Sequence, residues 1–187
     1  LVVDLEATCD DRGTIPRSES EIIEIGAVLV DGASLCAVDE FQTFVRPIAH
    51  PTLTPFCTQL TTITQADVDA APLFPAAAER LAAFGAGALF CSWGAFDRNQ
   101  LEADARRHSV PPPLGPRHLN VKEAFARAAG DRKTMGNRAV LRRVGIDATG
   151  THHRGIDDAR NIAMLLPFAL GRIPIPAARL RRGKAHA

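Results

Sequence analysis

The chain has 187 residues, 46% of them hydrophobic and 23% charged, which suits one soluble domain with its own core. A formal net charge of +1 falls short of the strongly basic balance of a dedicated nucleic-acid coat protein, yet leaves room for an enzyme that grips a few nucleotides. The four cysteines (Cys9, Cys36, Cys57, Cys91) are scattered with no C-x-x-C pair, which argues against a zinc module and against a disulfide framework and favours a reducing cytoplasm.

In chain order, strands are expected at Leu1–Glu6, Ile22–Val30, Glu40–Val45 and Ala88–Cys91. The turn signals Asp31-Gly32 and Arg46-Pro47 suggest that the first three strands meander. Helices are expected at Pro75–Phe84, Phe96–His108, Val121–Ala129, Arg138–Val144 and Asp157–Leu170. Asp10–Ser20, Arg46–Thr64 and Ser109–Asn120 read as loops. Strands early and helices alternating later make an α/β domain, with a mixed sheet covered on both faces. No apolar run approaches the roughly 20 residues of a membrane span. The chain begins without Met, inside the first strand, so a few preceding residues are expected to be missing or trimmed.

The opening LVVDLEATCD carries the first chemical signal. Asp4 and Glu6 lie two apart on a strand and share a face, with Cα atoms about 6–7 Å apart. They stand at the strand's carboxyl end, where open α/β sheets place their ligand crevices. Two carboxylates there can share hard cations; alternatively the strand simply ends at the surface.

The second signal is GTHHRGIDDARNIAMLLPF. Steps of four, seven, eight and eleven from Asp158 reach Ile162, Leu165, Leu166 and Ala169, the apolar face of a helix. Asp158 therefore points inward and needs a partner, whereas Asp157 reads as the helix cap. A loop imidazole beside such a site can accept a proton, and His152 and His153 have equal claims on spacing alone. The third signal is CSWGAFDRNQL, where Asp97 falls in the first turn of a helix. An acid is favoured there by the helix dipole in any case.

Taken together, Asp4–Thr8 (DLEAT), Asp97 in WGAFD and His153 to Asp158 (H-x4-D) resemble the DEDDh family of 3′→5′ exonucleases. The branch of the histone-mRNA and RNA-interference 3′-exonucleases, with bacterial KapD-like proteins, is similar in further blocks. These are EATC at Glu6–Cys9, IIEIGAV at Ile22–Val28, FCTQLTTITQ at Phe56–Gln65, SWG at Ser92–Gly94, NVK at Asn120–Lys122 and HHRGIDDARNIA at His152–Ala163. The likeness runs from Leu1 to about Leu170. The sister subclass uses Tyr in place of His, and this chain has no Tyr. Thr62 stands where the branch carries a glycine.

The resemblance implies an RNase H-like exonuclease fold over residues 1–171, followed by a basic tail at 172–187. It implies that Asp4, Glu6, Asp97 and Asp158 hold two Mg²⁺ or Mn²⁺ ions about 3.5–4 Å apart, with Glu6 and His153 catalytic and His153 the general base. Ala7, Thr8, Trp93 and His153 would meet the substrate. Trp93 suits base stacking, and it suits the core equally well. Lys122, Arg142-Arg143 and the Arg179–Lys184 run could each touch phosphate, or simply be solvated. The expected reaction is hydrolysis of phosphodiester bonds from a 3′ end, with release of nucleoside 5′-monophosphates. The substrate would be a nucleic acid, RNA before DNA, with no membrane partner and an open oligomeric state. A nuclease-like regulatory protein acting through binding partners is the competing reading, and a mononuclear metal hydrolase a third.

Overall fold

The computed structural model describes residues 1–176. Three strands come first: β1 (Val2–Ala7), β2 (Ile22–Val30) and β3 (Ala37–Phe44). Three helices follow: α1 (Pro55–Thr61), α2 (Gln65–Asp69) and α3 (Phe74–Phe84). The chain continues through β4 (Phe90–Ser92), α4 (Phe96–Arg107), β5 (His118–Asn120), α5 (Val121–Ala128), α6 (Asn137–Val144), α7 (Gly155–Ala163) and α8 (Leu166–Ala169).

The sheet is mixed, in the order β3-β2-β1-β4-β5. The meander β1-β2-β3 is antiparallel, and β4 and β5 join it in parallel. Alternation along β1 sorts its side chains between two cores. Leu1, Val3 and Leu5 pack with Ile25, Ala27, Phe74 and Leu101 beneath α3 and α4. Val2 packs with Val28, Phe125, Leu141 and Ile162 beneath α5 to α8. Helices thus cover both faces, as the sequence predicts.

Asp4 and Glu6 follow Val2 on the α7 face. In the β1–β2 register Asp4 lies opposite Gly26 and Glu6 opposite Glu24, and a bulge falls directly after Glu6. The α7 face of β2 is bare at Gly26. A methyl group there would lie 2.1 Å from the Gly155 backbone, so glycine is what lets the first turn of α7 rest on the sheet.

Buried acids pin the layers together. Glu21 accepts the N–H groups of Ile48, Ala49 and His50, each at 2.8 Å. Asp104 of α4 accepts Ile22 N–H at 2.8 Å and pairs with Arg107. Buried carboxylates with several donors are satisfied rather than costly.

Several expectations are corrected. The Arg46–Thr64 loop contains α1, begun by Thr54, whose hydroxyl accepts Cys57 N–H, and by Pro55. α2 follows at once behind a Thr64–Asp67 capping box. β5 closes the expected Ser109–Asn120 loop. The third strand starts at Ala37, earlier than the expected Glu40. The long helix from Asp157 to Leu170 is two helices, α7 and α8, separated around Met164-Leu165. Asp157 is not its cap: α7 starts at Gly155 behind Arg154, and Asp157 instead accepts Thr151 N–H at 2.8 Å and pairs with Arg160. Of the expected tail 172–187, residues 177–187, including the Arg179–Lys184 run, lie outside the described residues. No helix among the described residues is long and apolar enough to cross a membrane.

Candidate active site

A cleft of about 390 Å³ opens at the carboxyl ends of β1 and β4. Asp4, Glu6, Asp97, Asp158 and His153 all line it, together with Ala7, Thr8 and Trp93. Residues up to 154 positions apart in the chain therefore meet in one place, because three element ends converge there.

The four acids reach the cleft by three routes. Asp4 and Glu6 come from the α7 face of β1. Asp158 lies in the first turn of α7, only 3% exposed, and its inward period is as predicted: Ile162, Leu165, Leu166 and Ala169 are all buried. Its Oδ2 accepts His153 N–H at 2.9 Å, and its Oδ1 accepts Asn137 Nδ2 at 3.3 Å. Asp97, in the first turn of α4, accepts Leu5 N–H at 3.1 Å, which ties that helix to β1.

Oxygens of Asp4, Glu6 and Asp158 lie within 4.8 Å of one another. Among the described residues no Arg or Lys is ion-paired with Asp4, Glu6 or Asp97. Burial, reinforced by Asp97, Glu6, Asp158 and Glu24, holds the Asp4 carboxyl well above the usual carboxylate range. Burial, then Asp158, Glu24 and Asp97, pushes Glu6 up to about 8. Burial also pushes Asp97 up to about 6, against hydrogen bonds from its own N–H, Leu5 N–H and the Ser92 hydroxyl. Crowded, desolvated carboxylates of this kind suit hard divalent cations, which favour oxygen donors and offset the mutual repulsion.

His153 is half-buried, and its φ of 61° is left-handed. Burial lowers its pKa, then the neighbouring His152 and Arg138, with Asp158 opposing, so the ring is more readily neutral and able to accept a proton. His152 stacks on it, ring centroids 3.8 Å apart, with its Nδ1 3.2 Å from Asp158 Oδ2.

Trp93 stands between the core and the cleft. It packs against the α5–α8 core and donates from Nε1 to Met135 O at 3.1 Å, while also lining the cleft. Thr8 lines the cleft too, but its N–H donates to Glu21 O and its hydroxyl accepts Glu21 N–H. Lys122 and Arg142-Arg143 do not line the cleft.

Sequence reasoning missed Glu24, Arg154, Asn137 and the cleft-lining Arg17, Leu60 and Phe96. Glu24 is fully buried and accepts from Gln42 Nε2, from Arg154 Nε and from Gly155 N–H. The signal was available, since an acid inside the apolar run Ile22-Ile23-Glu24-Ile25 poses the same question as Asp4.

Residues 1–166 match the family model RNase_T, described as exonuclease. The ERI1 exoribonuclease 3 of Mus musculus is 32% identical over 178 residues, covering 89% of this chain and 52% of that protein. The 3′-5′ exoribonuclease 1 of Homo sapiens is 30% identical over 176 residues, covering 88% of this chain and 50% of that protein. The chain thus spans about half the length of either relative. Among solved structures, the nuclease domain of 3′hExo, a DEDDh family member bound to rAMP, superposes with a TM-score of 0.83. It is 27% identical, with 92% of each chain covered.

Proposed function

Because this chain belongs to the exonuclease family described by the RNase_T model, we propose that it is a metal-dependent 3′→5′ exonuclease. It hydrolyses terminal phosphodiester bonds of RNA and releases nucleoside 5′-monophosphates. The observation that carries the reading is the meeting of Asp4, Glu6 and Asp158 oxygens within 4.8 Å in an open cleft, beside the half-buried imidazole of His153.

Asp4, Glu6, Asp97 and Asp158 are the residues that would hold two divalent cations, Mg²⁺ or Mn²⁺. When bound, such ions supply Lewis acidity and neutralise charge at the scissile phosphate. His153 accepts the proton of the attacking water. Its backbone N–H donates to Asp158 at 2.9 Å, which ties the turn carrying the base to that carboxylate. Trp93, with the neighbouring Phe96 and Leu60, offers an apolar surface to the terminal base. Ala7 and Thr8 form the cleft wall just after Glu6 and bound the terminal nucleotide.

RNA is preferred over DNA in this reading because the relatives are named as exoribonucleases. The four free cysteines support a reducing compartment such as the cytoplasm. The catalytic unit is assigned to residues 1–171.

The test is a 5′-labelled single-stranded RNA and its DNA twin, each incubated with Mg²⁺ or Mn²⁺ and resolved on a denaturing gel. The expected result is a ladder shortening from the 3′ end, faster on RNA, and abolished by EDTA and by Asp158→Asn. Intact strands with both metals would refute the nuclease; equal rates on the two sugars would refute the RNA preference.

A further inference from the structure

Asp158 belongs to two donor sets of different character. With Asp4 and Glu6 it forms an all-oxygen group; with His152 and His153 it forms an imidazole-rich one, again with ligand atoms within 4.8 Å of one another. The second group is assembled by the backbone. Adjacent side chains in an extended segment point to opposite sides. Here the left-handed turn at His153, φ 61°, brings both imidazoles to the same side, 3.8 Å apart and 24° from parallel. His152 Nδ1 then lies 3.2 Å from the Asp158 Oδ2 that also accepts His153 N–H.

The chemistry of the two groups differs. Carboxylates alone suit Mg²⁺ and Mn²⁺, whereas imidazole suits zinc and its neighbours in the transition series. Zinc takes nitrogen at about 2.0–2.1 Å in a tetrahedral arrangement, which sets its ligand atoms about 3.3 Å apart. The His152 Nδ1 to Asp158 Oδ2 distance of 3.2 Å already meets that spacing. A His153 ring nitrogen lies within 4.8 Å of both atoms. His152 is exposed, so a cation has direct access from solvent.

We propose that His152, His153 and Asp158 form a second metal site, selective for Zn²⁺ or a similar borderline transition cation, and that its occupation switches the exonuclease off. The inhibitory half rests on the function proposed above. An ion held there takes the nitrogen lone pair with which His153 accepts a proton. It also draws Asp158 away from the all-oxygen group. Turnover stops for both reasons, while water completes the coordination of the ion.

The experiment measures Zn²⁺ binding by calorimetry, and Co²⁺ binding by visible absorption. The proteins are wild type, His152→Asn, Asp4→Asn and the double variant. The site predicts that Asp4→Asn retains Zn²⁺ binding and the visible Co²⁺ bands of a tetrahedral site. His152→Asn weakens Zn²⁺ binding by about tenfold or more, with or without Asp4. In the labelled-RNA assay with Mg²⁺, each protein is compared with its own Zn²⁺-free rate, and His152→Asn needs about tenfold more Zn²⁺ than wild type for half inhibition.

Zn²⁺ binding that is lost with Asp4→Asn and kept by His152→Asn overturns the proposal, because the ion then sits in the all-oxygen group. Equal Zn²⁺ sensitivity of wild type and His152→Asn overturns the switch. His152-dependent Zn²⁺ binding in a protein that shows no Mg²⁺-supported turnover upholds the site and refutes the nuclease reading instead.

Discussion

The Glu24 carboxylate receives the Arg154 guanidinium at 3.1 and 3.3 Å across 130 residues of chain, and this pair fixes the turn that carries His153. Glu24 lies directly opposite Glu6 in the β1–β2 register and has no exposed surface. The same carboxylate accepts Gly155 N–H, so the loop and the first turn of α7 are anchored to the sheet together. Glu24→Gln keeps the shape but removes the charge that Arg154 needs. Arg154→Gln leaves the fully buried Glu24 charge without its partner, a loss that costs about 3–5 kcal/mol, whereas Glu24→Gln leaves a partly exposed Arg154 that water can solvate and costs less. Small displacements at a reacting centre reduce turnover steeply, here by an expected tenfold or more. Denaturant melts and steady-state kinetics on Glu24→Gln and Arg154→Gln check this: kcat falls with KM nearly unchanged. An unchanged kcat would reduce the pair to a structural staple.

Without metal, the acidic cluster makes stability fall as pH rises. Glu6, raised to about 8 by burial and then by Asp158, Glu24 and Asp97, binds a proton in the folded state that it has released in the unfolded one. The folded state therefore holds more protons between the unfolded value of 4.5 and about 8, and stability is lost across that window. The lowered His153 acts in the opposite sense, but below its ordinary 6.5. Melting temperatures of EDTA-treated protein should drop from pH 7 to 8. Glu6→Gln should flatten the slope, and Mg²⁺ or Mn²⁺ should raise the melting temperature more at pH 8 than at pH 6.

Gly26→Ala should be among the most damaging single-methyl additions in the protein. The new Cβ would stand 2.1 Å from the backbone of Gly155, and backbone cannot rotate away as a side chain can. Overpacking costs about 1–3 kcal/mol, and more where nothing can yield. The expected outcome is a lower melting temperature together with loss of nuclease turnover, since Asp158 and His153 ride on the displaced element.

Thr62 closes α1 at φ 62°, a left-handed position that disfavours a β-branched residue, and its side chain is exposed. Thr62→Gly relieves a cost of about 1 kcal/mol and should raise the melting temperature by a few degrees without touching turnover.

The site was legible in the sequence where chemistry and period coincide. Asp4 and Glu6 were found because acids inside an apolar strand need a reason, and Asp158 because its helical period points to the core. Asp157 reads as a cap because a pair of acids at a helix start looks like a cap and its dipole partner. The helix in fact begins two residues earlier, at Gly155, where its backbone lies against Gly26. The short helices α1 and α2 are only seven and five residues long, too short to display a period, although Thr54-Pro55 and Thr64 with Asp67 did carry capping signals. β5 has three residues and no alternation to read; it exists because β4 offers an edge. Glu24 and Arg154 belong to a pair 130 residues apart, a relationship that only the folded register reveals.

The central claim is removal of single nucleotides from a 3′ end, and the label on that end reports it most directly. A single-stranded RNA labelled at its 3′-terminal nucleotide would be incubated with the protein and Mg²⁺ or Mn²⁺, and the products followed from the earliest times. The account predicts that the label appears at once as a mononucleoside 5′-monophosphate, with no labelled oligonucleotide preceding it and none released by Asp4→Asn. Labelled oligonucleotides as first products would mean internal cleavage, and label retained on the full strand would mean no nuclease; either would contradict the account.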